Sequence, residues 1–300
     1  MGGRLLASMS LAVLALAQQP PGVPENAVQR VSDHVYAIIG FPNIAIVEGS
    51  RGTLVVDTGM GPKNGGVIVR AVGKLAKTPN LYLTTTHFHP EHASGVQAFP
   101  ESTVLIRPAV QQEEMERRGQ EFLEFFRGLS AQFKEELKDV QMRKPDILFD
   151  RELRLDLGGV TTRLSWMGAA HTKGDELIWV EGDRTLISGD IVQNKLVPNM
   201  PNEDASVKGW IEVLDKLAQA PVQPRFIVPD HGALGDGALI AQQRAFLADA
   251  QSRALALKRQ GTGVEDAAKM MTAEFKTKYA DWQNMNPLAN IVRRVYAESQ

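Results

Sequence analysis

The stretch of sequence that decides the fold is Thr86-His87-Phe88-His89-Pro90-Glu91-His92. It directly follows an apolar, β-prone run (81–85) and holds three of the chain's six histidines. Residues i and i+2 of an extended segment lie on the same side, so His87 and His89 can converge on one ion. A turn can then bring Glu91 and His92 to a second point nearby. Because imidazole and carboxylate groups are good ligands for zinc, iron or manganese, the stretch predicts a metal site at a strand end.

Three more candidate ligands follow strand-like runs further along the chain. They are His171 in Ala-His-Thr-Lys-Gly, Asp190 in Ser-Gly-Asp, and His231 in Pro-Asp-His-Gly. Ligands on loops at the ends of strands are the usual way in which a rigid scaffold builds a site. The sixth histidine, His34, precedes the first strand and is isolated, so we expect a solvated or capping role for it rather than a ligand role.

Composition excludes several classes of protein. The chain has 300 residues, of which 43% are hydrophobic and 23% charged, and these ordinary values exclude a disordered, collagen-like or multi-span membrane protein. The net charge of -2 gives no indication of binding to nucleic acid or to an anionic membrane surface. The absence of cysteine excludes disulfides, thiolate metal sites and cysteine nucleophiles.

The N-terminus has the features of a secretory signal peptide. Arg4 precedes an uncharged apolar run that ends in Ala15-Leu16-Ala17, a small-x-small cleavage site. We therefore expect residues 1–17 to be a signal peptide, with an N-terminal core helix as the alternative. A Pro-rich linker (18–30) and one domain (31–300) would follow. The mature protein would be periplasmic or secreted, without a membrane segment.

The remaining pattern predicts an α/β protein. Short β-prone runs occur in two clusters, between residues 35 and 106 and between 153 and 188, and helical periodicity follows each cluster. Two packed sheets with helices outside form a four-layer αββα sandwich. A charged helical insertion (107–145) interrupts the pattern, and its apolar residues recur at helical spacing. These residues are Phe122, Phe125, Phe126, Leu129, Phe133 and Leu137. The stripe either packs on the core or forms a lid, a wall over the site or a dimer contact.

In order and in residue type, these motifs resemble those of the metallo-β-lactamase superfamily, over roughly residues 31 to 235. The resemblance implies the αββα fold and two zinc ions per chain, with iron or manganese as other metals. It implies that Asp57 supports the histidine loop through hydrogen bonds. It further implies a first metal held by three histidines, a second held by Glu91 and two histidines, and Asp190 between the two metals. The implied first-metal ligands are His87, His89 and His171, and the second-metal histidines are His92 and His231.

The resemblance also implies the chemistry of a dinuclear zinc hydrolase. A metal-bound hydroxide would attack an ester, lactone, thioester or β-lactam bond of a small-molecule substrate, with Glu91 and Asp190 as the catalytic carboxylates. Glu91 stands where the family usually has Asp, and its extra methylene places the carboxylate differently. Two alternatives stay open, an iron-dependent sulfur-compound dioxygenase on the same fold and a non-catalytic metal-binding protein. Asp190 resembles the bridging Asp of glyoxalase II-type hydrolases, and softer similarities point to exported zinc hydrolases linked to quinoprotein or sulfur oxidation.

Two residues that follow Asp190 closely in the sequence are candidate substrate contacts. Asn194 and Lys195 could reach a substrate carboxylate, although a solvated loop lysine is the simpler interpretation. The sequence gives no indication of an oligomeric state.

Overall fold

The computed structural model describes residues 22–299. The predicted signal peptide and the first residues of the predicted linker lie outside this range. None of the helices in the described part of the chain is long and apolar enough to cross a membrane.

Strands and helices alternate in two blocks. Along the described residues the strands are β1 (Val28–Arg30), β2 (Val35–Ile38), β3 (Ile44–Glu48), β4 (Thr53–Val56), β5 (Leu81–Thr84), β6 (Val104–Pro108), β7 (Ile147–Phe149), β8 (Glu152–Asp156), β9 (Thr161–Trp166), β10 (Glu176–Val180), β11 (Thr185–Gly189) and β12 (Phe226–Pro229). The α-helices are α1 (Gly61–Leu75), α2 (Pro90–Ala93), α3 (Ala109–Leu129), α4 (Ala131–Glu136), α5 (Val207–Ala218), α6 (Ala238–Arg259), α7 (Val264–Lys278) and α8 (Leu288–Glu298).

The strands form two sheets. The first has the order β1-β2-β3-β4-β5-β6-β7, in which β1 to β4 are antiparallel and β4 to β7 are parallel. The second has the order β12-β11-β10-β9-β8, with β11 and β12 parallel and the other pairs antiparallel. Because β9 and β11 are both antiparallel to β10, the strands β9, β11 and β12 run in one direction and end at the same edge.

The two sheets pack face to face, and helices cover their outer faces. Apolar side chains of both sheets form one buried cluster, for example Val47 and Val56 with Ile178 and Val228. The outer face of the first sheet packs against α1, and that of the second packs against α5 to α8. The sequence of α5 explains why it packs on the sheet: its apolar side chains recur at helical spacing, and those of this face, Trp210 among them, are buried. The predicted four-layer αββα sandwich is confirmed.

The structure corrects the sequence predictions at three places. Val28–Arg30, inside the predicted linker, pairs with β2, so the first sheet begins before residue 31. Ile147–Phe149 adds an edge strand that the pattern did not reveal. The predicted helical insertion (107–145) contains two helices, because extended Ser130 ends α3 and its Oγ caps α4 by accepting from Phe133 N at 3.0 Å.

Candidate metal centre

Four strands bring the predicted ligands to one edge of the sandwich. The histidine loop follows β5, while His171, Asp190 and His231 follow β9, β11 and β12. The two loops after β5 and β11 approach closely, and Gly189 permits this. Its φ is +58°, and a Cβ at this position would lie 3.0 Å from the Cβ of Thr86. All seven predicted ligands are buried at this edge.

Asp57, after β4, holds the histidine loop in place. It adopts a left-handed φ of 71°, which aspartate tolerates better than most residues. Its Oδ1 accepts a hydrogen bond from Thr86 N at 2.7 Å, and its Oδ2 lies 2.9 Å from Nδ1 of His92. The hydrogen-bonded support expected of Asp57 is therefore present.

Three histidines form a first group of potential ligands. Nδ1 of His89 lies 3.0 Å from Nε2 of His87 and 3.3 Å from Nε2 of His171. The ligand atoms of these residues all lie within 4.8 Å of one another. Such a separation suits nitrogen atoms that share one ion with Zn–N distances near 2.0–2.1 Å.

A second group contains Glu91, His92 and His231, whose ligand atoms are equally close. Asp190 lies between the two groups. Its Oδ2 is 3.3 Å from Nε2 of His171, and its Oδ1 is 3.5 Å from Nε2 of His231. Asp190 thus presents one carboxylate oxygen to each group.

The outward nitrogen of three histidines is bound by a hydrogen-bond acceptor. Nε2 of His89 lies 3.1 Å from Oδ1 of Asn202, and Nδ1 of His171 lies 2.7 Å from the carbonyl oxygen of Asn199. Asp57 holds Nδ1 of His92 in the same way. An acceptor at one ring nitrogen fixes the proton there and leaves the lone pair on the other. Each of these lone pairs therefore faces the interior of the site.

The donor atoms fit a metal better than they fit one another. Nε2 of His92 and Oε2 of Glu91 are buried and find no hydrogen-bond partner among residues 22–299. Leaving such atoms unpaired costs about 1–3 kcal/mol each. A divalent cation in each group would satisfy them, and it would also separate the three close nitrogens of the first group. The residues present therefore fit two divalent metal ions.

Burial keeps most of the site histidines neutral. It lowers the pKa of His87 and His89 well below the ordinary histidine value, and neighbouring histidines add to the effect. Burial also lowers the pKa of His231 to about 4. Neutral imidazole is the form that binds metal.

His92 differs because it lies between carboxylates. Burial alone would lower its pKa, but Asp57 and Asp230 raise it well above the ordinary value. These carboxylates favour the protonated ring. Because Nδ1 is held by Asp57, a metal ion at Nε2 would take the place of the Nε2 proton.

The two carboxylates proposed for catalysis titrate in opposite directions. Burial raises the pKa of Glu91 to about 7. Burial also acts to raise the pKa of Asp190, but His231 and His171 outweigh it and bring the pKa to about 2. Asp190 is therefore ionised at neutral pH, whereas Glu91 can exchange a proton there.

Several residues of the site escaped the sequence prediction. Asp230 accepts a hydrogen bond from Oγ1 of Thr86 at 2.6 Å and lies 3.3 Å from Nδ1 of His92. Its position beside His231 in Pro-Asp-His-Gly is the one signal that could have indicated it. Asn199 and Asn202 lie on a loop without a motif, and Asn199 acts through its carbonyl oxygen, which any residue type supplies.

Two other predictions concern residues near the site. Nδ2 of Asn194 donates to the carbonyl oxygen of Leu234, and Nζ of Lys195 pairs with exposed Asp281. Neither lines the cavity in front of the ligands, so the solvated-lysine interpretation fits Lys195. His34 pairs with Asp183 at 2.8 Å and does not belong to the ligand groups.

A cavity of about 740 Å³ opens in front of the ligands. Phe122, Phe125, Phe126 and Leu129 of α3 line it and are called the phenylalanine wall below. The ring of Phe122 stacks on His89 with centroids 4.7 Å apart. The apolar stripe therefore forms a wall of the cavity and also packs inside the protein, since Phe122 and Phe126 are buried in the apolar cluster beneath the insertion.

Comparisons with known proteins agree with this geometry. The model of the Metallo-beta-lactamase superfamily matches residues 38–231, which include all the ligand candidates. The protein named Metallo-beta-lactamase type 2 from Bacteroides fragilis is 24% identical over 255 residues, covering 79% of this chain and 91% of that protein. A protein of the same name from Bacillus cereus is 20% identical over 199 residues, covering 66% and 70%.

Solved structures show the same fold at low identity. A metallo-beta-lactamase from Pontibacter korlensis superposes with a TM-score of 0.60 and 19% identity, covering 74% of this chain and 98% of that one. The stereoselective inverting sec-alkylsulfatase Pisa1 from Pseudomonas sp. superposes with a TM-score of 0.70 and 17% identity. That match covers 91% of this chain but only 50% of the alkylsulfatase.

Proposed function

This chain belongs to the metallo-β-lactamase superfamily and is a metal-dependent hydrolase of small-molecule substrates, and from that premise we propose that it is a dinuclear zinc hydrolase. Its proposed substrates contain an ester, lactone, thioester or β-lactam bond. The observation that carries this proposal is the position of Asp190, with one oxygen toward each of two groups of buried ligands.

The proposed ligand sets follow the two groups. His87, His89 and His171 would hold the first zinc ion, and Glu91, His92 and His231 would hold the second. Asp190 would contact both. Nitrogen and oxygen donors of this kind suit zinc, and they also bind iron or manganese.

The chain's own residues set the conditions for hydrolysis. Bound zinc supplies a Lewis acid and a coordinated water whose pKa is near 7. Burial raises the pKa of Glu91 to about 7 in the metal-free site, so its carboxylate would release its proton when the second zinc ion binds. Asp57 and Asn202 fix the orientation of His92 and His89. The phenylalanine wall excludes water from one side of the cavity.

The choice among substrates rests on the ligand set and on the relatives. The chain has no cysteine, and Asp190 presents one carboxylate oxygen to each group, which favours an ester-type hydrolase over a dedicated β-lactamase. The relatives' names add β-lactams and secondary alkyl sulfates to the compounds worth testing. We also propose that the protein works outside the cytoplasm, on the strength of the N-terminal sequence.

The test is hydrolysis of a panel of lactones, thioesters, esters, β-lactams and alkyl sulfates by the zinc-loaded protein. We expect turnover of at least one ester-type substrate, and a loss of at least about 100-fold in Asp190→Ala, since bound metal contributes several kcal/mol to the transition state. His34→Ala is the matched control, because this histidine lies outside the ligand groups.

Two outcomes would favour the alternatives. Oxygen uptake with a thiol or persulfide by an iron-containing protein would favour the sulfur-compound dioxygenase. Full turnover in Asp190→Ala would show that the clusters do not carry the reaction. Metal binding without turnover of any compound in the panel would favour a metal-binding protein without catalysis.

A further inference from the structure

Helix α8 contributes polar residues to the cavity in front of the ligands that the proposed hydrolysis does not use. Four residues of α8 line this cavity, namely Asn290, Arg293, Arg294 and Ala297. Their spacing of i, i+3, i+4 and i+7 places them on one face of the helix. This face belongs to the same cavity as the phenylalanine wall and the two ligand groups.

Hydrogen bonds tie this face of α8 to the first ligand group. Nδ2 of Asn290 donates to Oδ1 of Asn199 at 3.1 Å, and the carbonyl oxygen of Asn199 holds Nδ1 of His171 at 2.7 Å. Arg294 lies one helical turn after Asn290, about 6 Å further along the axis. A substrate bound at the ligand groups can therefore extend along α8 to Arg294.

The two arginines of this face differ in their partners. Arg293 is fully engaged, because Glu265 accepts from its Nε and Nη2 at 2.8 Å each. Arg294 is weakly paired. Its buried Nε makes no hydrogen bond within residues 22–299, and Oε1 of Glu298 lies 3.5 Å from it.

The carboxylate of Glu298 is already occupied. Its oxygens accept from Val207 N at 2.8 Å and from Lys208 N at 3.3 Å, at the start of α5. Glu203, which also lines the cavity, is exposed to solvent. Arg294 therefore retains most of its capacity to bind an anion, and its planar guanidinium matches a carboxylate.

We propose that the substrate is an anionic amphiphile whose apolar body lies on the phenylalanine wall and whose carboxylate binds Arg294. The scissile bond then lies at the two ligand groups, away from the charged end. This inference rests on the proposed function and specifies its substrate class. A cavity of about 740 Å³ accommodates a molecule of that kind.

The test compares two acids of equal length on the zinc-loaded protein by titration calorimetry. Octanoate can place one carboxylate at the ligand groups, whereas octane-1,8-dioate can also reach Arg294. We expect Arg294→Gln to lower the ratio of dioate affinity to octanoate affinity about tenfold, the effect of one charge-assisted hydrogen bond. Arg294→Lys keeps the charge but loses the planar guanidinium, so it should lower that ratio less than Arg294→Gln does.

The matched control is Arg259→Gln, which removes an exposed arginine at the end of α6. It should leave both affinities unchanged. The inference is wrong if Arg294→Gln weakens both acids equally, if it acts no differently from Arg259→Gln, or if neither acid binds. Hydrolysis of p-nitrophenyl hexanoate, measured on the same samples, reports separately on the proposed function.

Discussion

At the scale of single residues, Glu91 is where this chain departs most from the pattern that it resembles. Its carboxylate is buried, one oxygen has no hydrogen-bond partner among residues 22–299, and its pKa is raised to about 7 by burial. A group in this state is costly to ionise unless a cation compensates it. We therefore assign its ionised form to the state with the second metal bound.

Glu91→Gln tests this assignment. The amide keeps the shape of the side chain but cannot carry the charge, so we expect zinc to fall from about two per chain to about one. Activity should fall at least about 100-fold with it. Elemental analysis and steady-state kinetics measure the two effects, and two zinc ions in the variant would show that Glu91 is not a ligand.

The raised pKa of Glu91 also predicts a pH dependence of stability in the metal-free protein. The folded pKa of Glu91, about 7, exceeds the reference value of 4.5, so the folded chain holds the proton more tightly than the unfolded chain. The contribution of Glu91 to stability is therefore present below pH 4.5 and is lost as the pH rises to 7. Relative to Glu91→Gln, the wild type should lose up to about 3 kcal/mol over this interval. Denaturant unfolding at pH 5, 6 and 7 would contradict this if the difference stayed constant.

The sequence predicted the candidate ligands and Asp57, but not the other residues that orient them. Histidines and carboxylates directly after β-prone runs are visible because residue type and strand periodicity coincide, as in Ser-Gly-Asp190. Asn199 was not visible because its backbone carbonyl does the work. Arg294 was not visible because its proximity to the ligands depends on how α8 packs, which no local pattern encodes.

At the scale of secondary-structure elements, α3 combines packing with contact to the site. Phe126 is buried under the insertion, whereas Phe125 is half-buried, and both line the cavity. Removing a buried phenylalanine costs about 3–5 kcal/mol, and a half-exposed one costs less. These neighbours therefore form a matched pair for separating stability from substrate binding.

We expect Phe126→Ala to lower the free energy of unfolding by about 3–5 kcal/mol. Phe125→Ala should cost about 1 kcal/mol and raise KM for esters with apolar acyl chains more than for acetyl esters. Denaturant unfolding and kinetics with an acyl-length series check both. An unchanged dependence on acyl length in soluble Phe125→Ala would contradict the role of the phenylalanine wall in binding.

The element boundaries that the sequence missed have physical causes. The strands β1 and β7 have three residues each, too few to show an alternating pattern. The apolar stripe of the insertion continues past Ser130 at helical spacing, which hides the break between α3 and α4. There a single side-chain cap decides the local structure.

At the scale of the whole molecule, the proposed metal centre joins the two sheets. The histidine loop comes from the first sheet, and His171, Asp190 and His231 come from the second. Metal bound to the folded chain alone adds RT ln(1 + [L]/Kd) per site, about 2.7 kcal/mol at 100 times Kd. Binding across two sheets links this free energy to global unfolding.

Chelation should therefore lower Tm by about 5–10 °C per site, at about 2–4 °C per kcal/mol for a chain of this size. Readdition of zinc should restore Tm, and calorimetry with and without chelator measures the shift. An Asp190→Ala variant should show a smaller shift than the wild type. An equal Tm before and after complete metal removal would contradict the link between the sheets.

The proposed function requires two zinc ions per chain, and elemental analysis of protein purified without added metal tests this most directly. We expect close to two zinc per chain, with His34→Ala equal to the wild type and Asp190→Ala markedly lower. Predominant iron, or one metal or none per chain, would contradict it.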